Sequence, residues 1–287
     1  MELLAYTRPC TNIKFPEPVD FYDFPETIIS FAESLPGSQL ATVDDVAYFR
    51  VKNAQLRLIT YFCDSYRLQG IINDLVVSRY SVNSLQFANK DMEAFNSSRK
   101  VYGKSWFASR DVWDMDKILY KPGKHGKHLR RAFRQADHFA IHLDHLIHPK
   151  TVDEVLNVER LWIDEAKTRH YMVVKGDSMR FVLRHYALLK SECKSRIMYV
   201  RKDKELIGFV GYEVVDNKAS ISIFKTLAVP GFSDLAKFVW MNALDTIFHN
   251  NSVDYIFCGA NCDEIKEYVG LNHKRCYTLF SKIRGVV

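Results

Sequence analysis

The order of helical and strand-like segments in the second half of this sequence limits its fold more than any other feature. Residues 151–169 repeat apolar side chains at helical spacing, and Thr151 with Glu154 three positions later forms a capping box. A second helix is predicted over 177–193. Residues 196–229 then divide into three strands at the dipeptides DK and DN, which are typical of hairpin turns, so a meander is predicted.

Four further segments follow the meander. A helix is predicted over 232–250, a strand over 254–261, a short helix over 263–270 and a last strand over 275–283. The full order is helix, helix, three-stranded meander, helix, strand, helix, strand. It predicts an α/β (α+β) fold in which a mixed sheet is flanked by helices on both faces.

The first half of the sequence carries a shorter version of this order. Residues 46–51 and 56–63 are predicted to form a hairpin, and 66–80 an amphipathic helix. A polar helix over 91–99 separates two further strand-like segments. This half therefore looks like a reduced copy of the second.

Two segments of the second half resemble motifs of the GNAT (Gcn5-related N-acetyltransferase) superfamily. LAVPG at 227–231 resembles the family's V-x-P entry to its cofactor-binding helix, and NCDEIKEYVGL at 261–271 resembles its N-x-x-A…Y-x-x-G-F segment. The element order is also that of the family. The resemblance implies that the strand at 253–258 is splayed from the one at 219–228.

Two GNAT-like halves joined by a basic helix resemble the aminoacyl transferases of the Fem type and the lysylphosphatidylglycerol-synthase type, which take an amino acid from charged tRNA. The residues that carry this second resemblance are KHLRRAFRQA at 127–136. It implies a tandem GNAT-like fold with a degenerate N-terminal half at 1–120, a basic linking helix and strand at 121–150, and a C-terminal acyltransferase domain at 151–287. A single GNAT unit behind an unrelated N-terminal domain is the alternative.

The resemblance places the acyl donor at the end of the meander and the start of the next helix. The implied donor-binding residues are Leu227, Val229, Gly231, Ser233 and Ala236. Acetyl-CoA users of the family present R/Q-x-x-G-x-G/A here, whose backbone N–H groups hold pyrophosphate. This sequence reads GFSDLAKF, with Ala236 and Phe238 in place of the glycines. Ser233 is predicted to cap the helix, and Asp234 in its first turn opposes a phosphate. The departure favours aminoacyl-tRNA over acyl-CoA, or a donor site that has been lost.

Acyl transfer to an amine needs a base, a stabilised oxyanion and an acid for the leaving group. The resemblance assigns the acid to Tyr268, whose phenol keeps its proton at neutral pH; a core tyrosine is the alternative. Glu213 shares a strand face with apolar residues, which would raise its pKa and suit it as a base, unless it is a solvated edge-strand residue. Asn261 follows a strand and is predicted to orient the substrate or to satisfy a turn.

The segment KPGKHGKHLRRAFR at 121–134 contains six cations and no acidic residue. These cations are Lys121, Lys124, Lys127, Arg130, Arg131 and Arg134. The nearest acidic residues in the sequence are Asp116 and Asp137, so local pairing cannot neutralise all six. A phosphate polymer would gain from each contact, and the glycines between the cations permit close approach. The predicted partner is nucleic acid, as tRNA donor or as modified DNA substrate; a solvated helix between two halves is the alternative.

Composition and net charge exclude few classes of protein. The net charge of +6 matters less than its local concentration. No apolar run reaches the roughly 20 residues of a membrane span, and the first residues lack a signal-peptide core, so a cytoplasmic protein is expected. Cys258, Cys262, His273 and Cys276 lie close together in sequence but lack the tight C-x-x-C spacing of structural zinc. Buried cysteine is the favoured interpretation, and no metal is expected.

The patterns together predict a transferase. It would be a GNAT-like acyltransferase that moves an acyl or aminoacyl group, from acyl-CoA or aminoacyl-tRNA, to an amine or hydroxyl, while the basic helix holds nucleic acid. A non-catalytic GNAT-fold protein that binds nucleic acid is one alternative. A lipid-headgroup aminoacyl transferase is another, against which the lack of a membrane anchor counts.

Overall fold

The computed structural model describes the backbone of residues 4–6, 24–25, 39–43, 47–52, 55–58, 81–82, 85–87, 99–144, 151–168, 195–259 and 262–280. It divides into two compact units. The first comprises Met1–Ser105 and His273–Val287, and the second comprises Trp106–Asn272. The boundaries expected from the sequence, at 120 and 150, stay a prediction.

The first unit contains a sheet of short strands in chain order. Its strands are β1 (Leu4–Tyr6), β2 (Gln39–Val43), β3 (Ala47–Lys52), β4 (Gln55–Leu58) and β5 (Ser81–Val82). The strands pair antiparallel except β4 and β5, which are parallel. Strands β3 and β4 form the predicted hairpin, with Lys52 opposite Gln55. Strand β6 (Leu85–Phe87) pairs antiparallel with the last strand, β13 (Asn272–Phe280).

Two predicted helices of the first half cannot be compared with the structure. The helix at 66–80 lies outside the described residues, and so does the helix at 91–99 except for its last residue. Arg99 begins a strand, β7 (Arg99–Ser109).

The second unit is built on a mixed sheet. Besides the end of β7, its strands are β8 (Ile141–Asp144), β9 (Ser195–Lys202), β10 (Glu205–Val215), β11 (Lys218–Thr226) and β12 (Tyr255–Gly259). They lie in the order β7-β12-β11-β10-β9-β8, antiparallel except for the parallel pair β11–β12. The predicted meander is confirmed as β9–β10–β11. Asp203 and Asp216 turn its corners with φ of 54° and 53°, a conformation that Asp tolerates better than most residues.

Helices cover both faces of this sheet, as the sequence predicts. They are α1 (Met115–Leu119), α2 (Lys124–His138), α3 (Thr151–Thr168), α4 (Leu235–Asn250) and α5 (Asp263–Tyr268). Val155 and Val158 of α3 pack in one core cluster with Phe209 of β10. The neighbouring residue Val210 belongs to the cluster of α2 and α4, because successive side chains of a strand point to opposite faces. The predicted helix at 177–193 lies outside the described residues.

Helix α4 is the centre of the larger core. Its buried residues lie on all sides of the helix, including Leu235, Phe238, Trp240 and Met241. The sequence predicted a helix from residue 232, but α4 begins at Leu235. A backbone bridge between Val229 and Phe232, with Gly231 at φ +83°, holds the preceding residues in a tight turn and delays the helix.

Helix α2 begins earlier than the sequence predicts. The sequence predicted the basic helix from KHLRRAFRQA, which begins at Lys127, yet α2 starts at Lys124 and contains Gly126 in its first turn. A Cβ atom at Gly126 would lie 2.1 Å from the carbonyl oxygen of Lys121. Glycine is therefore present because the segment before the helix packs directly onto its backbone. At its other end α2 continues to His138, and the strand that was predicted to follow the basic helix is β8.

Replacing Gly126 by Ala should destabilise the protein although Ala is the better helix former. The gain in helix propensity is about 1 kcal/mol, whereas a methyl group placed 2.1 Å from a backbone oxygen costs about 2–3 kcal/mol, the upper part of the range for overpacking. We expect a net loss of about 1–2 kcal/mol in the free energy of unfolding, measured by urea denaturation. Lys127→Ala, on the exposed side of the same helix, is the control and should change stability little.

Within the part of the chain that the structure describes, no helix combines the length and the apolarity that crossing a bilayer requires.

Candidate functional site

A cleft lies where strand β11 ends and helix α4 begins. Its volume is about 440 Å³. The five residues to which sequence resemblance assigned donor binding all line it: Leu227, Val229, Gly231, Ser233 and Ala236. From α3, the Glu165 carboxylate accepts a hydrogen bond of 3.3 Å from the backbone N–H of Ala228. This cleft, which we call the candidate donor cleft, is therefore bounded by the β11–α4 connection, which α3 holds from one side.

Strands β11 and β12 part beside the cleft. Among the described residues their parallel ladder ends at Ser220 opposite Phe257, although β11 continues to Thr226. The carbonyls of Cys258 and Gly259, beyond this point, accept hydrogen bonds from the Lys266 ammonium of α5. Lys266 is 2% exposed, and burial lowers the pKa of its amine. We call this opening between the two strands, with Lys266 at its β12 side, the strand fork; it corresponds to the predicted splay.

The start of α4 carries a buried ionic cluster. The Asp234 carboxylate accepts hydrogen bonds from the guanidinium of Arg131 on α2 and, at 2.8 Å, from the ammonium of Lys237. His128 Nδ1 lies 3.9 Å from the same carboxylate. The sequence predicted Ser233 as the helix cap, but the N-cap is Asp234, whose side chain makes no capping bond because it binds these cations. Its negative charge is thus balanced, and the repulsion expected between Asp234 and a phosphate is correspondingly reduced.

These contacts predict an acid-dependent stability. Burial alone would raise the pKa of Asp234, but the hydrogen bonds from Lys237 and Arg131 hold it below the ordinary value of 3.8. A lowered folded-state pKa gives stability that is present above about pH 4 and is lost as the pH falls through the folded pKa.

Asp234→Asn should therefore lower the free energy of unfolding by about 1–2 kcal/mol at pH 7. The difference from the parent protein should shrink as the pH falls below about 4, in urea denaturation followed across pH. Asp216→Asn, at an exposed turn, is the isosteric control. A constant deficit of Asp234→Asn at every pH would contradict the role given to its charge.

Tyr268, the predicted acid, is the last residue of α5 and is half-buried. The imidazole of His125 stacks on its ring with 4.3 Å between ring centroids, and His128 approaches the ring edge at 6.0 Å. The Lys237 ammonium lies 4.2 Å from the ring centroid. Tyr268 is thus placed beside the start of α4, next to cationic and titratable groups from two other helices.

One side of α2 contributes most of these contacts. His125, His128, Arg131 and Gln135 follow one another at intervals of three or four residues and so lie along one side of the helix. Gln135 donates a hydrogen bond of 3.0 Å to the carbonyl of Gly231 in the wall of the candidate donor cleft. We call these four residues the inner stripe. Sequence reasoning missed His125, His128, Gln135 and Lys237, although the helical spacing of the first three was a usable signal.

The other two predicted catalytic residues have different positions. Glu213 is fully buried in β10, opposite Ser195 of β9 and Ser220 of β11, so the alternative of a solvated edge residue is wrong. It alternates with Phe209 and therefore lies on the sheet face covered by α3. Tyr268 instead contacts α2 and α4, on the other face. Asn261 lies outside the described residues, and the roles of all three stay predictions.

The six cations of the basic stretch are not equivalent. Arg131 pairs with Asp234, more than a hundred residues away in sequence, and Arg130 donates a hydrogen bond of 2.5 Å to the carbonyl of Leu119. The prediction from sequence, that neighbouring acids cannot neutralise all six cations, left out partners that are distant in the chain. The other four cations, Lys121, Lys124, Lys127 and Arg134, are exposed. The three on α2 fall within an arc of about 80°, at 100° per residue.

Two cysteines, Cys258 and Cys262, have side chains that the structure describes. Cys258 is buried in the core cluster, and burial raises the pKa of its thiol to about 12. Cys262 is exposed at the start of α5. In the described residues no cluster of His, Cys, Asp and Glu is suited to bind an ion.

Comparison with solved structures identifies the fold. No family model and no curated protein sequence matches the chain. The structure of L-PGS from Bacillus licheniformis is similar with a TM-score of 0.59 and 13% identity, over 93% of this chain and 95% of that one. The C-terminal domain of a provisionally assigned lysylphosphatidylglycerol synthetase from Agrobacterium fabrum gives a TM-score of 0.61 and 10% identity, over 89% and 86%.

The chain has the GNAT fold.

A conserved protein of unknown function from Bacteroides thetaiotaomicron has the same arrangement, with a TM-score of 0.58 and 11% identity over 89% of this chain and 90% of that one. The GNAT fold predicted from element order is therefore confirmed. At identities this low, structural similarity establishes the fold alone, so the chemistry has to be argued from the site.

Proposed function

We propose that the protein is an acyltransferase that moves an aminoacyl or acyl group onto an amine or hydroxyl. One observation carries the proposal. All five residues to which the family resemblance assigned donor binding line a single cleft, and the strand fork lies beside it. Two of the similar structures bear names that include L-PGS or lysylphosphatidylglycerol synthetase, which supports transfer of an amino acid.

Tyr268 is the proposed acid of the reaction. The acceptor nitrogen attacks the acyl carbonyl carbon, the bond from that carbon to the donor's oxygen or sulfur breaks, and the leaving atom takes the phenolic proton. The proton lost by the acceptor then passes to solvent, and the phenolate recovers one. The Lys237 ammonium, 4.2 Å from the ring centroid, would stabilise the phenolate while it exists.

The donor is proposed to be aminoacyl-tRNA in preference to acyl-CoA. Ala236 and Phe238 stand in place of the glycines that CoA users present. The exposed cations of α2 supply a binding face for the phosphates of tRNA, on the helix whose Gln135 donates a hydrogen bond to Gly231 in the cleft wall. Nucleic-acid binding is thus the proposed role of the basic stretch.

A transfer assay tests the proposal. The protein would be incubated with a mixture of charged tRNAs or with acetyl-CoA, and loss of the acyl ester or thioester would be followed with amine, hydroxyl and phosphatidylglycerol acceptors. We expect protein-dependent deacylation of at least one charged tRNA. A protein that binds tRNA yet deacylates no donor with any acceptor would instead be a non-catalytic binding protein of the GNAT fold.

A further inference from the structure

An exposed aromatic ring stands at the head of the basic helix. Tyr120 closes α1 and precedes Lys121, and it is 71% exposed, the most exposed of the large apolar side chains in the described residues. Leaving most of such a ring in water gives up the stabilisation that burial would provide. A single exposed aromatic residue is ordinary on a protein surface, so its surroundings decide whether it has a role.

Its surroundings are cationic and fixed. The Arg130 guanidinium lies 6.0 Å from the centroid of the Tyr120 ring. Its Nη1 donates to the carbonyl of Leu119, the residue before the tyrosine, at 2.5 Å. Arg130 is therefore tied to the backbone beside the ring and does not need to be ordered when a ligand arrives, which lowers the entropic cost of binding.

The exposed cations extend from the ring along the helix. From Lys124 to Arg134 the axis of α2 covers about 15 Å, at 1.5 Å per residue. Three exposed cations, Lys124, Lys127 and Arg134, lie along this length, and Lys121 precedes them directly after Tyr120 in the chain.

We propose that Tyr120 is a stacking position for an unpaired nucleobase, with the phosphates of the same strand along the exposed cations of α2. An aromatic ring binds the face of a base, and that face is accessible in a single strand but covered by neighbouring pairs inside a duplex. The ligand class is therefore single-stranded RNA, or an RNA with an unpaired end or loop. This inference rests on the proposed nucleic-acid binding and adds the form of nucleic acid that is bound.

A basic surface can also bind an anionic membrane, which is the alternative to nucleic acid. Insertion of a helix into a bilayer surface relies on apolar side chains along one face, beside the cations. The exposed arc of α2 contains cations and no large apolar residue, and the ring of Tyr120 is the only aromatic side chain that the described structure exposes next to them. One ring beside a row of charges fits a base and its phosphates better than a lipid surface.

The test compares Tyr120→Ala with Tyr120→Phe, which keeps the ring. Affinities would be measured by fluorescence anisotropy for an unstructured 12-nucleotide RNA and for the same sequence as a duplex. Co-sedimentation with phosphatidylglycerol vesicles would be a third arm. We expect Tyr120→Ala to weaken binding of the single strand by about tenfold and to leave duplex binding and the salt slope unchanged. Tyr120→Phe should stay within about twofold of the parent protein.

The outcomes separate the two proposals. If the parent protein binds no nucleic acid even at low salt, both the proposed binding and the stacking position are wrong. If it binds, but Tyr120→Ala has no effect or weakens single strand and duplex equally, only the stacking position is wrong. Loss of vesicle binding alone would assign Tyr120 to a membrane contact. Circular dichroism would confirm that the variants fold, as expected for so exposed a side chain.

Discussion

Tyr268→Phe should lower turnover by about 10²–10⁴-fold, the usual contribution of a positioned general acid. The substitution removes only the phenolic hydroxyl. The ring remains for His125 to stack on and for the Lys237 ammonium to face, so the packing around it is preserved. The free energy of unfolding should therefore change by less than about 0.5 kcal/mol.

The loss should fall on the chemical step and not on donor binding. Single-turnover deacylation of charged tRNA would be slow in the variant, whereas tRNA affinity would match that of the parent protein. Tyr255→Phe is the matched control, because it removes a hydroxyl from a tyrosine that is 41% exposed on β12. Unchanged turnover in Tyr268→Phe would remove this residue from the mechanism and leave the buried Glu213 as the better candidate.

Removing the four exposed cations of the basic stretch should give the second large effect. Replacement of Lys121, Lys124, Lys127 and Arg134 by Ala is expected to reduce the salt slope of nucleic-acid affinity by roughly three to four, at about 0.9 per contact for a duplex and 0.7 for a single strand. At low salt this corresponds to a sharp loss of affinity. Arg130 and Arg131 are left in place because they bind Leu119 and Asp234.

A pair of double variants separates the position of the cations from the total charge of the protein. Lys124→Ala with Lys127→Ala removes two cations from the basic helix, and Lys117→Ala with Lys204→Ala removes two exposed cations from other parts of the same unit. Only the first pair should reduce the slope, by about 1.4–1.8. Equal effects of the two pairs would mean that net charge, and not this surface, governs binding.

Local sequence patterns were sufficient to predict the described helices and strands of the second half. The meander and α3 follow from turn dipeptides, a capping box and apolar spacing, all of which act between near neighbours in the chain. The sequence placed the starts of α2 and α4 less well, since tertiary contacts decide them. Gly126 lies inside α2, at a position where the Lys121 carbonyl leaves no room for a side chain, and the bridge between Val229 and Phe232 holds back α4.

In the candidate site, too, contacts between near neighbours in the chain could be predicted and tertiary contacts could not. The family resemblance pointed to five residues that the structure brings together in one cleft, because these residues follow one another closely in the chain. The surroundings of Tyr268 could not be found this way, because His125 and Lys237 reach it from helices far apart in sequence. The pairing of Arg131 with Asp234 was missed for the same reason: a charge in a sequence does not reveal a partner a hundred residues away.

The strand fork has a consequence for the kinetics of donor binding. Two strand carbonyls that a neighbouring strand would otherwise bind are satisfied by Lys266, a side chain of the protein itself. The separation of β11 from β12 is therefore complete when the chain has folded, and no sheet hydrogen bond has to break to admit a ligand. We expect stopped-flow association with the donor to be a single phase whose rate rises linearly with concentration, without the plateau that a slow opening step would impose.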